Sequence, residues 1–136
     1  MIKTITMLAL ILAFNSSFAD EISLGLWSHH FDRTVKYGKC TNEKHNLLSY
    51  SRNGFVVGRY DNSHCLESYL AGYSKSNSMG IGYTVSIVSG YPVSMRAIDK
   101  YVVIPMVHYT KTVEKIGIRI YYVPAVLIAT GFVVKF

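Results

Sequence analysis

One hundred and thirty-six residues, 50% of them hydrophobic and only 16% charged, suffice for one domain and exclude a second catalytic domain. Eleven Tyr, 6 Phe and 1 Trp exclude a disordered chain, which would be poor in aromatics. The formal charge of +6 comes from basic residues scattered without a Lys/Arg run, so no nucleic-acid partner is expected.

In chain order, residues 1–19 read as a secretory signal peptide: Lys3, an apolar stretch at 7–14, then Ser17, Phe18 and Ala19. The apolar stretch falls short of the ~20 residues that a spanning helix needs. Residues 20–136 are then a single exported domain. Export favours a disulfide between Cys40 and Cys65, whose loop of roughly 25 residues is worth about 3 kcal/mol in the chain-entropy treatment.

Strands are expected at about 22–31, 46–52, 54–60, 67–74, 79–90, 101–110, 113–123 and 126–136. The clearest signal is period two. Ile81, Tyr83, Val85 and Ile87 alternate with Gly82, Thr84 and Ser86. Ile116, Ile118, Ile120 and Tyr122 alternate with Gly117, Arg119 and Tyr121, and Ile128, Phe132 and Val134 face away from Ala129, Gly131 and Lys135. Arg52-Asn53-Gly54 carries hairpin chemistry, and short turns are expected near Ser76, Lys111 and Pro124.

This pattern predicts an all-β fold, an eight-stranded antiparallel up-and-down barrel. A face of Gly, Ser, Thr and Arg packs poorly as a dry core but suits the lumen of a narrow membrane barrel. A soluble, lipocalin-like periplasmic barrel that binds lipid is the competing architecture. With both termini in the periplasm, the exterior connections are 32–45, 61–66, 91–100 and 124–125. The terminal segment ending in Phe136 resembles the assembly signal of outer-membrane barrels. The expected location is therefore the outer membrane, with the periplasm as the alternative, and a monomer is expected.

The exterior rim gathers Ser28, His29, His30, His45, Asn46, Asp61, Asn62 and Ser63. A His beside a Ser can act as general base to a hydroxyl, with Asn or Asp orienting the imidazole. No metal-ligand spacing joins the histidines, so no metal and no cofactor are expected. His108 is isolated and reads as structural. Arg33, Lys36, Lys39, Lys44, Arg96 and Lys100 are candidates to contact lipid phosphates.

Several segments, taken in order, resemble a known family. Trp27-Ser28-His29-His30-Phe31, Thr41-Asn42-Glu43, Tyr60-Asp61-Asn62-Ser63, Leu70-Ala71-Gly72-Tyr73, Met79-Gly80-Ile81-Gly82-Tyr83, Tyr101 to Pro105, and Tyr121 to Pro124 are similar to segments of the lipid A palmitoyltransferases of Gram-negative outer membranes. They resemble even more the small PagP-like exported proteins of phages and bacteria. The resemblance implies an outer-membrane barrel whose partners are phospholipid and lipid A of lipopolysaccharide. It moves an acyl chain from the first to the second, or carries out a related lipid hydrolysis.

On this reading His30 is the base, Ser63 the hydroxyl group and Asn62 a polar orienter, with His29, Asp61, His45 and Asn46 as secondary candidates. Asn62 stands where the family has its Asp, and the family's N-terminal helix is missing. The resemblance also gives Pro105 and Pro124 the role of opening a lateral gate in the wall, since proline removes a ladder donor. A non-catalytic envelope barrel, phage-encoded and acting in surface modification or exclusion, is the alternative function.

Overall fold

Alternation of aliphatic with small or polar residues forces each strand to present one face of each kind, and the chain satisfies both faces by closing a cylinder. The computed structural model describes residues 20–31, 42–92 and 100–136. Its strands are β1 (Glu21–His30), β2 (Leu48–Arg52), β3 (Phe55–Asp61), β4 (Glu67–Ser76), β5 (Ile81–Val88), β6 (Val102–Val113), β7 (Ile116–Val123) and β8 (Leu127–Lys135). Each pairs antiparallel with the next and β8 closes on β1, so the expected eight-stranded up-and-down barrel is formed. Closure gives every strand two neighbours, which removes the free edge strands of an open sheet.

Strand positions match expectation to within a few residues, with one shifted turn. β6 continues past Lys111 to Val113, because Lys111, Thr112 and Val113 keep the alternation and pair with Ile118, Gly117 and Ile116. The reversal falls instead at Glu114, whose φ is +55°. Residues 1–19 and the candidates Arg33, Lys36, Lys39, Cys40 and Arg96 lie outside the described residues. The expected Cys40–Cys65 disulfide is therefore not among the bonds the structure describes.

The barrel is apolar outside. Phe55, Val57, Ile81, Val85, Ile87, Val107, Ile116, Ile118 and Phe132 are exposed, Phe55 by 69% and Ile116 by 64%. The buried set is largely polar: Ser23, Ser28, Ser49, Ser51, Ser68, Thr84, Ser86, His108, Thr110 and Arg119. Arg119 of β7 points into the lumen and reaches β6 on one side and β1 on the other. Its guanidinium makes two bonds to the Glu21 carboxylate, 2.5 and 2.9 Å, and donates through Nε to Thr110 Oγ1 at 2.6 Å. A bidentate fork holding both partners in one geometry satisfies charges that would be costly to bury alone.

Among the described residues, two irregularities of the wall bear on the interior. In β1 the register against β8 shifts between Leu24 and Trp27, and Gly25 takes a φ of +60°. This bulge reverses the parity of the strand. Glu21 and Ser23 are buried before it, Ser28 and His30 after it. A side chain at Gly25 would be strained by that φ and would also meet the Trp27 ring at 2.9 Å.

The second irregularity lies between β6 and β7. Their ladder stops at Val107 and Tyr122, so residues 102–106 of β6 are paired only with β5. Pro105 sits in this one-sided stretch and Pro124 follows the end of β7.

Candidate functional site

The lumen is divided by the Glu21–Arg119 pair, which lines a cavity on either side. The upper chamber, at the end remote from the termini, has a volume of about 370 Å³ and is lined by Leu26, Leu47, Val56, Leu70, Val88, Met106, Tyr121, Leu127 and Ala129. Ser28, His30, His45 and Ser63 share its wall. The lower chamber, about 400 Å³, is lined by Ser51, Ser74, Ser76, Asn77, Thr110, Lys111, Thr112 and Lys135. Sequence reasoning anticipated a uniformly small or polar interior, and the apolar upper chamber corrects that. Pro105 and Pro124 both border this chamber, at the unpaired edge of β6.

Two Ser–His pairs stand on this wall. His30, turned inward by the Gly25 bulge, bonds through Nε2 to Ser63 Oγ at 2.9 Å, and both residues are buried. His29 is exposed on the opposite face of β1. Of the two candidate histidines, His30 is thus the one joined to Ser63.

The second pair is Ser28 with His45. Ser28 Oγ lies 2.6 Å from His45 Nε2, and His45 Nδ1 lies 2.6 Å from the carbonyl oxygen of Asp61. A carbonyl only accepts, so the proton resides on Nδ1 and Nε2 is left as acceptor for the Ser28 hydroxyl. His45 belongs to the connection between β1 and β2. Burial holds its pKa below the ordinary 6.5, assisted by repulsion from His30 and opposed by the Asp61 carbonyl bond and the charges of Asp61 and Glu43. A neutral imidazole with its lone pair aimed at a hydroxyl is the arrangement a general base requires.

Asn62, expected to orient the histidine, instead organises its own loop. Its Nδ2 donates to Ser68 Oγ and to the Gly90 carbonyl, both at 2.9 Å, and its Oδ1 accepts from the N–H groups of His64 and Leu66. Those four bonds fill the capacity of a carboxamide. Asn62 thereby fixes the backbone from which Ser63 projects.

The Asp61 carboxylate receives Asn46 Nδ2 at 2.7 Å, so Asp61 reaches the site through its carbonyl. Lys44 and Lys100 are exposed, and Lys44 forms an isolated bridge with Trp27. Tyr60 and Tyr91, hydroxyls 2.8 Å apart, also border the chamber and were not among the candidates.

The upper chamber was legible in doublets that sequence reasoning passed over. Leu47-Leu48, Val56-Val57, Leu70-Ala71, Ile87-Val88, Tyr121-Tyr122 and Leu127-Ile128 each place one residue on the chamber and one on the outer wall. Simple alternation treats them as noise. No family model matches the chain, and neither the curated proteins nor the solved structures contain a match, so the site's meaning rests on its own geometry.

Proposed function

We propose that this protein is an outer-membrane barrel that admits a lipid acyl chain to its upper chamber and acts on that chain's ester bond at the Ser–His rim. The observation that carries this reading is the double inversion of polarity. Aliphatic side chains cover the outside of a closed barrel whose buried residues are largely polar, and one apolar chamber reopens inside, with imidazoles and hydroxyls on its wall. An apolar outer band over a lumen lined with polar groups is the partition a bilayer selects. In water the same surface would be a large aggregation-prone patch.

The chamber's aliphatic lining suits a hydrocarbon chain, since each CH₂ buried contributes about 0.8 kcal/mol. Its volume lies in the range of small-molecule sites, about 300–1,000 Å³. The Glu21–Arg119 pair makes it blind at the lower end, so a chain entering from the rim or through the β6–β7 gap stops with its ester near His30 and Ser63. Lys44 and Lys100 offer charge to phosphates of phospholipid or lipopolysaccharide. The reaction supported is acyl transfer to a hydroxyl of lipid A, or hydrolysis when water takes that place, with the rim imidazoles of His30 and His45 positioning the attacking group and holding its proton.

Expression in a Gram-negative host, followed by mass spectrometry of lipid A and phospholipids, tests this. A new acylated lipid A species or accumulated lysophospholipid, absent with His30→Ala, is expected. Unchanged lipids from protein recovered folded in the outer membrane would leave a binding or exclusion role. Recovery in the detergent-free periplasmic fraction would overturn the membrane assignment.

A further inference from the structure

We propose that Ser28 is the nucleophile of this site and that it forms a covalent acyl-enzyme with His45 as its base. The inference deepens the reading above, because it supposes that an ester reaches the upper chamber. It rests on the geometry of the Ser28–His45 pair. For Ser28 and His45 the tautomer is determined: the Asp61 carbonyl holds the Nδ1 proton at 2.6 Å, and Nε2 accepts the Ser28 hydroxyl at 2.6 Å. Serine, imidazole and an orienting acceptor form a continuous line, the arrangement that activates a serine hydroxyl. A backbone carbonyl here takes the place a carboxylate occupies in the familiar triads.

The surroundings favour chemistry over packing. Ser28 and His45 both line the apolar chamber. Ser28 needs no partner for its backbone, whose N–H already donates to the Glu43 carbonyl at 2.9 Å. The Gly25 bulge turns Ser28 and His30 inward together, so the same β1 segment presents a nucleophile and, two residues on, the imidazole that bonds to Ser63.

In the first half-reaction Ser28 Oγ attacks the ester carbonyl carbon while its proton passes to His45 Nε2. The Oγ–C bond forms, the C–O bond to the lipid glycerol breaks, and His45 returns the proton to the departing alkoxide. In the second, a hydroxyl of the acceptor lipid or of water attacks acyl-Ser28 and gives its proton to His45. The Ser28 Oγ–C bond breaks and His45 reprotonates Ser28. The His30–Ser63 pair is then free to position that second hydroxyl.

The test uses the full chain in detergent micelles, treated with a long-chain alkyl fluorophosphonate and mapped by peptide mass spectrometry. Fluoride leaves phosphorus as the serine oxygen bonds to it. The adduct is expected on Ser28, absent in Ser28→Ala, retained in Ser63→Ala, and slower by about 10²-fold or more in His45→Gln, with barrel folding checked by heat-modifiable gel migration. An adduct on Ser63 in place of Ser28 would overturn the inference and leave the ester-processing reading intact. So would ester turnover that is unaffected in folded Ser28→Ala. An adduct on Ser28 in protein that turns over no lipid ester would support the nucleophile and defeat the lipid reading.

Discussion

The two chambers of the lumen are built from the same strands yet obey opposite rules. Around the lower one, inward positions carry Ser, Thr, Lys and Arg; around the upper one the same strands turn Leu, Val and Met inward among Ser23, Ser49, Thr84, Ser86 and the Ser–His groups. On the proposed membrane reading, lipid fixes the outer wall and leaves the interior free to vary. The lower chamber spends that freedom on a polar network, and the upper spends it on a site. Arg119, braced by Glu21 and Thr110, is the partition between them.

Breaking the partition has the largest expected effect. Glu21→Ala leaves Arg119 buried without its carboxylate and should cost about 3–5 kcal/mol, read from urea unfolding in micelles. Glu21→Leu combined with Arg119→Met should recover most of that loss, because the pair's value lies in mutual satisfaction. Stability unchanged in Glu21→Ala would mean that water reaches the pair and that the chambers are one.

The next effect tests the loop that carries Ser63. Asn62→Asp removes both donors aimed at Ser68 and Gly90 while keeping the size, and should cost about 1–3 kcal/mol in the same unfolding measurement. A variant as stable as the parent would show that the four bonds of Asn62 do not hold the loop.

Filling the upper chamber separates it from the lower directly. Ala129→Trp should weaken binding of a fluorescent acyl probe by about tenfold, or about 1.4 kcal/mol, whereas Ser76→Trp in the lower chamber should leave it unchanged. Equal losses in both variants would refute a chain confined to the upper chamber.

Smaller still is the acid response of the rim. His45 has a folded pKa below its ordinary value, so the unfolded chain takes up the proton first as pH falls. Stability contributed by neutral His45 is whole above about pH 6.5 and declines below it. His30, Asp61 and Glu43 are the titratable groups that face it, so the slope is to be compared with that of His45→Gln, which should be flatter. On the outer surface, Arg59→Ala breaks an exposed pair with Glu67 and should change stability by less than about 1 kcal/mol.

How much of this was legible in the chain follows from which forces act locally. The wall was readable because outward Ile81, Val85, Ile118 and Phe132 answer only to their immediate strand. The union of His30 with Ser63 was anticipated from their common rim, and the choice against His29 needed the bulge that sets parity. Gly25 within a strand was a usable sign of that bulge. The Ser28–His45 contact joins a strand to a connection 17 residues away and has no spacing signature. Asn62 was assigned to the histidine because it stands where the resembled family has its Asp, whereas the loop's own donors and acceptors, from His64, Leu66, Ser68 and Gly90, decided its bonds.

The central claim is the inversion itself: apolar wall to lipid, polar groups and one apolar chamber within. The single tryptophan, Trp27, sits on the outer wall, 42% exposed, edge-on to Phe132. Its fluorescence in vesicles of phospholipids brominated along the acyl chains measures contact with lipid. Strong quenching of Trp27 relative to unbrominated vesicles is the outcome the account requires. Unquenched emission, with the protein remaining in the aqueous phase, would contradict it.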